Sequence, residues 1–166
     1  VARLELVKGS FSLSYDLLSP ARKKQWCRLS VFPDDFDRNA ATAVLKMAPV
    51  ASADALSDLV RWSLVDFVFK AGSEDGRYQL HDLARLFAES FMQEVEQADA
   101  KKRHAIYYSK VLSKAGRLFE KGGSDLLEGL KLFDLELANI KVGHAWVKST
   151  IQSSKISNKS DLKTII

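Results

Sequence analysis

The sequence contains a single cysteine, Cys27, and no long apolar run. One cysteine cannot form an internal disulfide or build a cysteine-based metal site, so the chain fits a reducing compartment. No apolar stretch approaches the roughly 20 residues that cross a bilayer, and the amino terminus lacks the basic and apolar regions of a signal peptide. These absences predict a cytoplasmic protein with no membrane partner. The start at Val1 instead of methionine leaves open that the chain is an excised fragment.

The sequence also lacks a region dominated by one sign of charge. Its 25 basic and 21 acidic residues are interleaved, and the formal net charge is +4 at pH 7. This pattern is typical of mixed, solvated faces and not of the basic stripe that a phosphate backbone attracts. The 166 residues, 46% of them apolar, suffice for the core of one domain, or of one small domain with an appended piece. The composition therefore predicts a folded chain, and it permits a nucleic-acid partner without arguing for one.

No set of residues has the spacing of a metal site. His81, His104 and His144 have no companion histidine or cysteine at ligand spacing, and we interpret His104 and His144 as core residues. Cys27 has no base near it in the sequence and lies in a helical pattern, which favours a small buried hydrophobe over a nucleophile. The histidines and the cysteine therefore predict no metal ligand and no nucleophile.

Two further clusters have simple interpretations. Asp34 and Asp35 resemble a carboxylate pair, but they lie in a turn ahead of a helix, where aspartate is favoured as a cap. The basic run at residues 101–103 opens a helical pattern and is interpreted as a solvated face. We find no catalytic constellation in the sequence.

Short helices dominate the first part of the chain. The apolar spacing and the capping residues predict four of them, over residues 12–18, 20–31, 38–46 and 54–64, with a loop at 49–52. Ser19 followed by Pro20 is a typical helix start. Two β-branched and aromatic runs, 65–69 and 77–80, flank turn residues and predict a β-hairpin.

Helices resume after the hairpin. The pattern predicts a helix from Leu83 to about Glu94, a linker at 96–100, and further helices around 105–121, 126–130 and 134–150. The expected fold is mainly α: a winged-helix domain with a small β-hairpin wing over residues 1–97, then a helical extension over 98–152. Residues 153–166, which are rich in serine, lysine and asparagine, are expected to form a flexible polar tail.

The pair His81 and Asp82 lies where the second strand pattern gives way to a helix. A polar residue at such a position either caps the helix or faces a ligand. Local chemistry favours capping, because side-chain acceptors satisfy free N–H groups and acidic groups complement the helix dipole.

Four segments in order, residues 13–20, 26–36, 55–65 and 76–85, resemble the winged-helix module of NB-ARC proteins, which are STAND-class signalling NTPases. The fourth resembles the MHD motif of that family, with Leu80 in place of methionine, a position expected to pack inward. Residues 103–108 and 133–140 are similar to the helical stretch that precedes tetratricopeptide repeats in bacterial members. The resemblance covers residues 12–95 most specifically.

The resemblance implies a regulatory role. In the family, the histidine of the motif contacts the β-phosphate of bound ADP, so His81 is the candidate ADP ligand and Asp82 is expected to cap and brace the turn. The full-length parent would bind ADP or ATP with Mg²⁺ on an upstream nucleotide-binding domain and would connect to downstream helical repeats or effector proteins.

The nucleotide-binding machinery is missing from this sequence. It contains no glycine-rich loop ending in Gly-Lys-Ser/Thr and no strand ending in an acidic pair that would hold Mg²⁺. We therefore expect no enzymatic activity and no cofactor in this segment alone.

A second interpretation is a DNA-binding winged helix. Such modules present basic and amide side chains to base edges and phosphates. The helix before the wing and the wing tip instead offer mostly acidic groups, which disfavours this alternative: Asp54, Ser57, Asp58, Arg61, Glu74 and Asp75. A pure helical-repeat adaptor would need a self-similarity of about 34 residues, which the chain lacks.

Overall fold

A computed structural model describes residues 2–71, 73 and 75–163, and the side chains of residues 9, 11–71, 73 and 75–153. The chain is mainly helical, with a two-stranded antiparallel hairpin between the fourth and fifth helices, and this confirms the predicted class and order. The elements are α1 (Ala2–Leu17), α2 (Pro20–Leu29), α3 (Arg38–Leu45), α4 (Pro49–Arg61), β1 (Asp66–Val68), β2 (Arg77–Gln79), α5 (Asp82–Glu89), α6 (Glu94–Lys121) and α7 (Gly123–Lys163).

Side-chain caps set the starts of α2 and α3. The backbone N–H of Arg22 donates to Ser19 Oγ at 3.3 Å, and Pro20 takes the first helical position, as predicted. The N–H of Ala40 donates to Asp37 Oδ1 at 2.6 Å, so the cap of α3 is Asp37.

Helix α4 begins earlier than the sequence predicts. Pro49 occupies its first position, and the N–H of Ser52 donates to the Ala48 carbonyl at 2.9 Å. A proline suits this position because its fixed φ is helical and its missing N–H would have no helical partner. The predicted loop at 49–52 was wrong, and so was the predicted start at Asp54.

The hairpin gains a third, one-residue strand. Phe67 pairs with Tyr78 across the two strands, and Tyr78 also exchanges backbone hydrogen bonds of 2.9 Å in both directions with Phe36. This contact fixes the turn before α3 against β2. It therefore brings Asp35 to the side of Arg77, which no local pattern in the sequence indicates.

The winged-helix core forms around Trp26. This side chain is fully buried, and its indole N–H donates to the Leu64 carbonyl at 3.0 Å. Tyr15 of α1 lies 5.6 Å from it, centroid to centroid, and stacks on Phe91 at 4.6 Å. Apolar side chains from α2, α3, α4 and β2 complete this core.

The second half is a long helical hairpin. Helix α6 runs through the predicted linker at 96–100, and Ala100 there is buried in the same core as the winged helix. Gly122 and Gly123, with φ of 74° and 60°, make the turn into α7, as predicted. The two helices predicted at 126–130 and 134–150 are one continuous helix.

The predicted division of the chain at residue 97 stays a prediction. Two side chains of the predicted extension, Tyr108 and Ile140, lie in the same core as the winged-helix residues. Part of the predicted tail at 153–166 lies in the last turns of α7, up to Lys163, and residues 164–166 lie outside the described residues. Among the described helices, none is both long and apolar enough to span a membrane.

Candidate functional site

His81 is the N-cap of α5. Its backbone is extended, with φ −57° and ψ 143°, and the N–H of Leu83 donates to its ring nitrogen Nδ1 at 3.2 Å. Because Nδ1 accepts this bond, the neutral ring carries its proton on Nε2. The residue is exposed. His81 therefore offers an N–H donor at the positive end of a helix.

Asp82 is the first residue of α5 and not its cap. Its carboxylate accepts a hydrogen bond from Arg85 Nη2 at 2.9 Å, and this bond holds the pKa of Asp82 below its usual range. The capping role that we expected of Asp82 belongs to His81. Asp82 instead places an acidic group in the first turn, where it complements the helix dipole, and it braces Arg85. Leu80, which precedes the pair, is buried as expected.

The other two histidines differ from each other. His104 is buried with its Nε2 3.3 Å from Asn139 Oδ1, and burial lowers its pKa to about 4. Its interpretation as a core residue is confirmed. His144 is exposed, so the same interpretation was wrong for His144.

Cys27 is buried, and burial raises the pKa of its thiol to about 11. It is a protonated small hydrophobe at neutral pH, as predicted. Within the described part of the chain, no group of three histidine, cysteine, aspartate or glutamate residues could hold a metal ion.

A largely buried ion cluster, Asp35, Lys70, Arg77 and Glu136, lies at the turn end of the two wing strands and was not predicted. The Arg77 guanidinium donates to both carboxylate oxygens of Glu136, at 2.7 and 2.9 Å, and its Nε contacts Asp35 Oδ1. Lys70 Nζ reaches the other oxygen of Asp35 at 2.5 Å. The cluster thus joins the turn before α3, both sides of the wing, and α7.

Three members of the cluster are enclosed by protein, and Lys70 is half-buried. Arg77 is 1% exposed, Glu136 4% and Asp35 5%. Burial alone would lower the pKa of Arg77, but hydrogen bonds and charges from Glu136 and Asp35 raise it above its ordinary value. The amide of Asn139 donates to the Asp35 backbone carbonyl at 2.9 Å, which adds a second link to α7. Every charge in the enclosed part therefore has an opposite partner.

The prediction that Asp34 and Asp35 act as caps was wrong. Asp35 binds Arg77 and Lys70, and Asp34 binds Lys70 at 3.4 Å. The partners lie far along the chain, with Glu136 59 residues from Arg77. Pairs at such separations leave no periodic signal in a single sequence, although a charged residue inside a short strand, as at Arg77, is a clue that it has a buried partner.

The face of α4 that points away from the core has little positive charge. Its exposed side chains are Pro49, Val50, Asp54, Ser57 and Arg61. Asp58 is paired with Arg22 at 2.8 Å. The described cations of the wing, Lys70 and Arg77, are neutralised within the ion cluster. Among the described residues of α4 and the wing, the remaining basic group is Arg61, which is exposed and lies 3.8 Å from Asp58.

Comparison with known proteins finds two regulatory proteins called AfsR. The chain is 34% identical over 101 residues to the one from Streptomyces griseus, covering 60% of this chain and 10% of that protein. It is 30% identical over 135 residues to the one from Streptomyces coelicolor, covering 76% of this chain and 13% of that protein.

The chain spans about a tenth of the length of these relatives. No protein-family model matches it, and no solved structure matches it. The chain is thus similar to one segment of much larger regulatory proteins.

Proposed function

We propose that this segment is the regulatory arm of a nucleotide-switched signalling protein of the NB-ARC type. In the resting state, the winged helix would contact ADP through His81 and keep the protein closed. Exchange for ATP would release the winged helix, and the α6–α7 hairpin would pass the movement to sensor repeats or to an oligomer interface.

One observation carries the proposal: the exposed His81 ring keeps a free donor while it caps α5. The Leu83 N–H uses Nδ1, so the Nε2–H is available for an oxygen ligand without protonation of the ring. A helix N-terminus favours an anion, and phosphate is among the anions that such ends bind. Asp82 opposes an anion less than a free carboxylate would, because Arg85 binds it.

The nucleotide itself would be held by a nucleotide-binding domain outside this segment. A single imidazole cannot supply the enclosure that micromolar binding, about −8 kcal/mol, requires. In this proposal the segment is not an enzyme, and ADP or ATP with Mg²⁺ belongs to the whole protein. Its further partners would be helical repeats or effector proteins, in the cytoplasm. The much greater length of the regulatory proteins that it resembles supports this arrangement.

The test is the dissociation rate of fluorescently labelled ADP from the full-length protein. His81→Asn keeps an oxygen that can cap α5 but removes the ring and its Nε2–H. The variant therefore tests the proposed ligand contact separately from the cap. We expect at least tenfold faster ADP release and higher basal activity. Asp82→Asn is the matched control and should change the rate less than twofold. An unchanged rate in His81→Asn would overturn the proposal.

The second candidate is a winged-helix DNA-binding regulator. The name of the relatives, regulatory protein, and the order of two helices followed by a hairpin favour it. The exposed face of α4 has little positive charge and the described cations of the wing are paired internally. Both features oppose DNA binding, which depends on cations that face phosphates.

Titration of the chain with mixed-sequence duplexes, at about 50 mM and 200 mM salt, separates the two candidates. We expect no tight binding at either salt concentration. Submicromolar binding that weakens at least a hundredfold at the higher salt would make the DNA-binding function the better one.

A further inference from the structure

Helix α7 is tied to the wing by a buried ion pair between Glu136 and Arg77. Glu136 accepts two hydrogen bonds from the Arg77 guanidinium, at 2.7 and 2.9 Å. A two-pronged pair of this kind fixes angle as well as distance, whereas apolar side chains tolerate sliding past one another. The contact therefore specifies one position of α7 along the wing.

Arg77 has no freedom to follow Glu136 alone. Its Nη2 also donates to the Asp35 carbonyl at 3.2 Å, and the next residue, Tyr78, is bonded on both its N–H and its carbonyl to Phe36. Strand β2 then leads to His81, four residues after Arg77. A shift of α7 must consequently either move β2 with it or break a buried ion pair, and breaking such a pair changes an equilibrium by more than about a hundredfold.

We propose that Arg77 and Glu136 form a mechanical relay that couples the position of α7 to strand β2 and to the start of α5. The coupling itself needs no ligand. Its meaning in signalling rests on the proposed function, in which His81 contacts a nucleotide. In this arrangement a displacement arriving along α7 from other parts of the protein reaches the strand that precedes His81.

A purely stabilising role would predict a different result. Buried ion pairs are weak stabilisers compared with apolar side chains of similar size, and their best-attested role is to fix one register. When Glu136 is replaced by a neutral side chain of the same shape, Arg77 remains paired with Asp35 and no unpaired charge is buried. For this change the relay predicts a local effect on β2 and α5, and a stabilising role predicts an effect on the whole fold.

Amide hydrogen exchange of the chain, followed by NMR without nucleotide, distinguishes these outcomes. The variant is Glu136→Gln, which keeps the shape and removes the charge. We expect exchange at Tyr78 and Arg85, which report on β2 and α5, to accelerate about tenfold or more relative to wild type. Exchange at Lys23 and Ser52, in α2 and α4, should change less than threefold.

The matched control is Glu128→Gln, an exposed glutamate on the same helix, which should leave all four amides unchanged. Equal acceleration at all four reporter amides in Glu136→Gln would overturn the relay, and so would no acceleration.

A double variant covers the case in which Glu136→Gln does not fold. Arg77→Met combined with Glu136→Met removes both charges and keeps the volume, while Asp35 retains Lys70. The double variant should fold and still show selectively faster exchange at Tyr78 and Arg85. Full wild-type protection at these amides would overturn the relay, because packing alone would then couple α7 to β2 and α5. A local effect here, with unchanged ADP release in His81→Asn, would support the relay and reject the proposed function.

Discussion

Two polar side chains four residues apart, Arg77 and His81, have opposite surroundings. Arg77 is 1% exposed and its donors meet Asp35 and Glu136, whereas His81 is exposed and has one ring nitrogen in use. At the closed site, Arg77 with Asp35 and Glu136, every charge is paired within the chain. At the open site, His81, the ring keeps a free N–H donor at the start of α5. Of these two side chains, only His81 therefore has a free donor, which is what the proposed function requires of it.

The largest expected effect comes from removing the Arg77 cation from the closed site. Arg77→Met leaves Glu136 buried without a cation, and the free energy of unfolding should fall by about 3–5 kcal/mol. Urea unfolding followed by circular dichroism measures it. Arg61→Met on α4 is the control, because Arg61 is exposed and 3.8 Å from Asp58, and it should cost less than about 0.5 kcal/mol. A similar loss in both variants would contradict the comparison.

Lowering the pH should reduce the stability of the chain through the buried His104. Burial lowers the pKa of His104 to about 4, and the unfolded chain has an ordinary value near 6.5. Between these values the unfolded chain binds a proton that the folded chain does not, so stability falls as the pH drops from about 6.5 towards 4. The loss is on the order of 3 kcal/mol.

Urea unfolding at several pH values tests this slope. His104→Gln should flatten the slope in the same window, since glutamine can donate to Asn139 and does not titrate. His144→Gln, at an exposed position, should leave the slope as in wild type. A slope that persists in His104→Gln would assign the acid sensitivity to other groups.

Sequence reasoning succeeded where the signal is local. The cap at Ser19 and the glycines at 122–123 are read from neighbouring residues, and both were predicted correctly. The start of α4 was missed because Pro49 fits a loop and a first helical turn equally well. The link between Arg77 and Glu136 was missed for a different reason, since it joins residues 59 apart that only the tertiary fold brings together.

The candidate site shows the same division. Its place in the sequence, at the junction of a strand and a helix, was evident from pattern alone. The division of labour between His81 and Asp82 was not, because the two are neighbours and either can cap a helix. Only the backbone geometry, with His81 extended and Asp82 helical, assigns the cap.

Two glycines of the α6–α7 hairpin also differ in how much space surrounds them: Gly129 faces backbone atoms of α6, and Gly116 faces open space. A Cβ on Gly129 would lie 2.7 Å from the Ala115 carbonyl oxygen and 2.9 Å from the Phe119 nitrogen, so Gly129→Ala must push the helices apart. We expect a loss of about 1–3 kcal/mol in the free energy of unfolding.

Gly116 is the matched control in the same hairpin. A Cβ there meets nothing within 4 Å, so Gly116→Ala should stabilise the chain by about 0.5–1 kcal/mol through its helix propensity. Thermal unfolding of both variants decides the point. Opposite signs are expected, and destabilisation by Gly116→Ala would show that this surface is not open.

The smallest effect belongs to the open site itself. His81→Ala removes the acceptor for the Leu83 N–H and should cost about 0.5–1 kcal/mol, while His81→Asn restores a capping oxygen and should be nearly neutral. Urea unfolding of the isolated chain measures both. If asparagine rescues stability but not ADP retention in the full-length protein, the ring has a ligand role separate from its cap. If asparagine rescues both stability and ADP retention, capping alone explains the role of His81, and the proposed ligand contact is rejected.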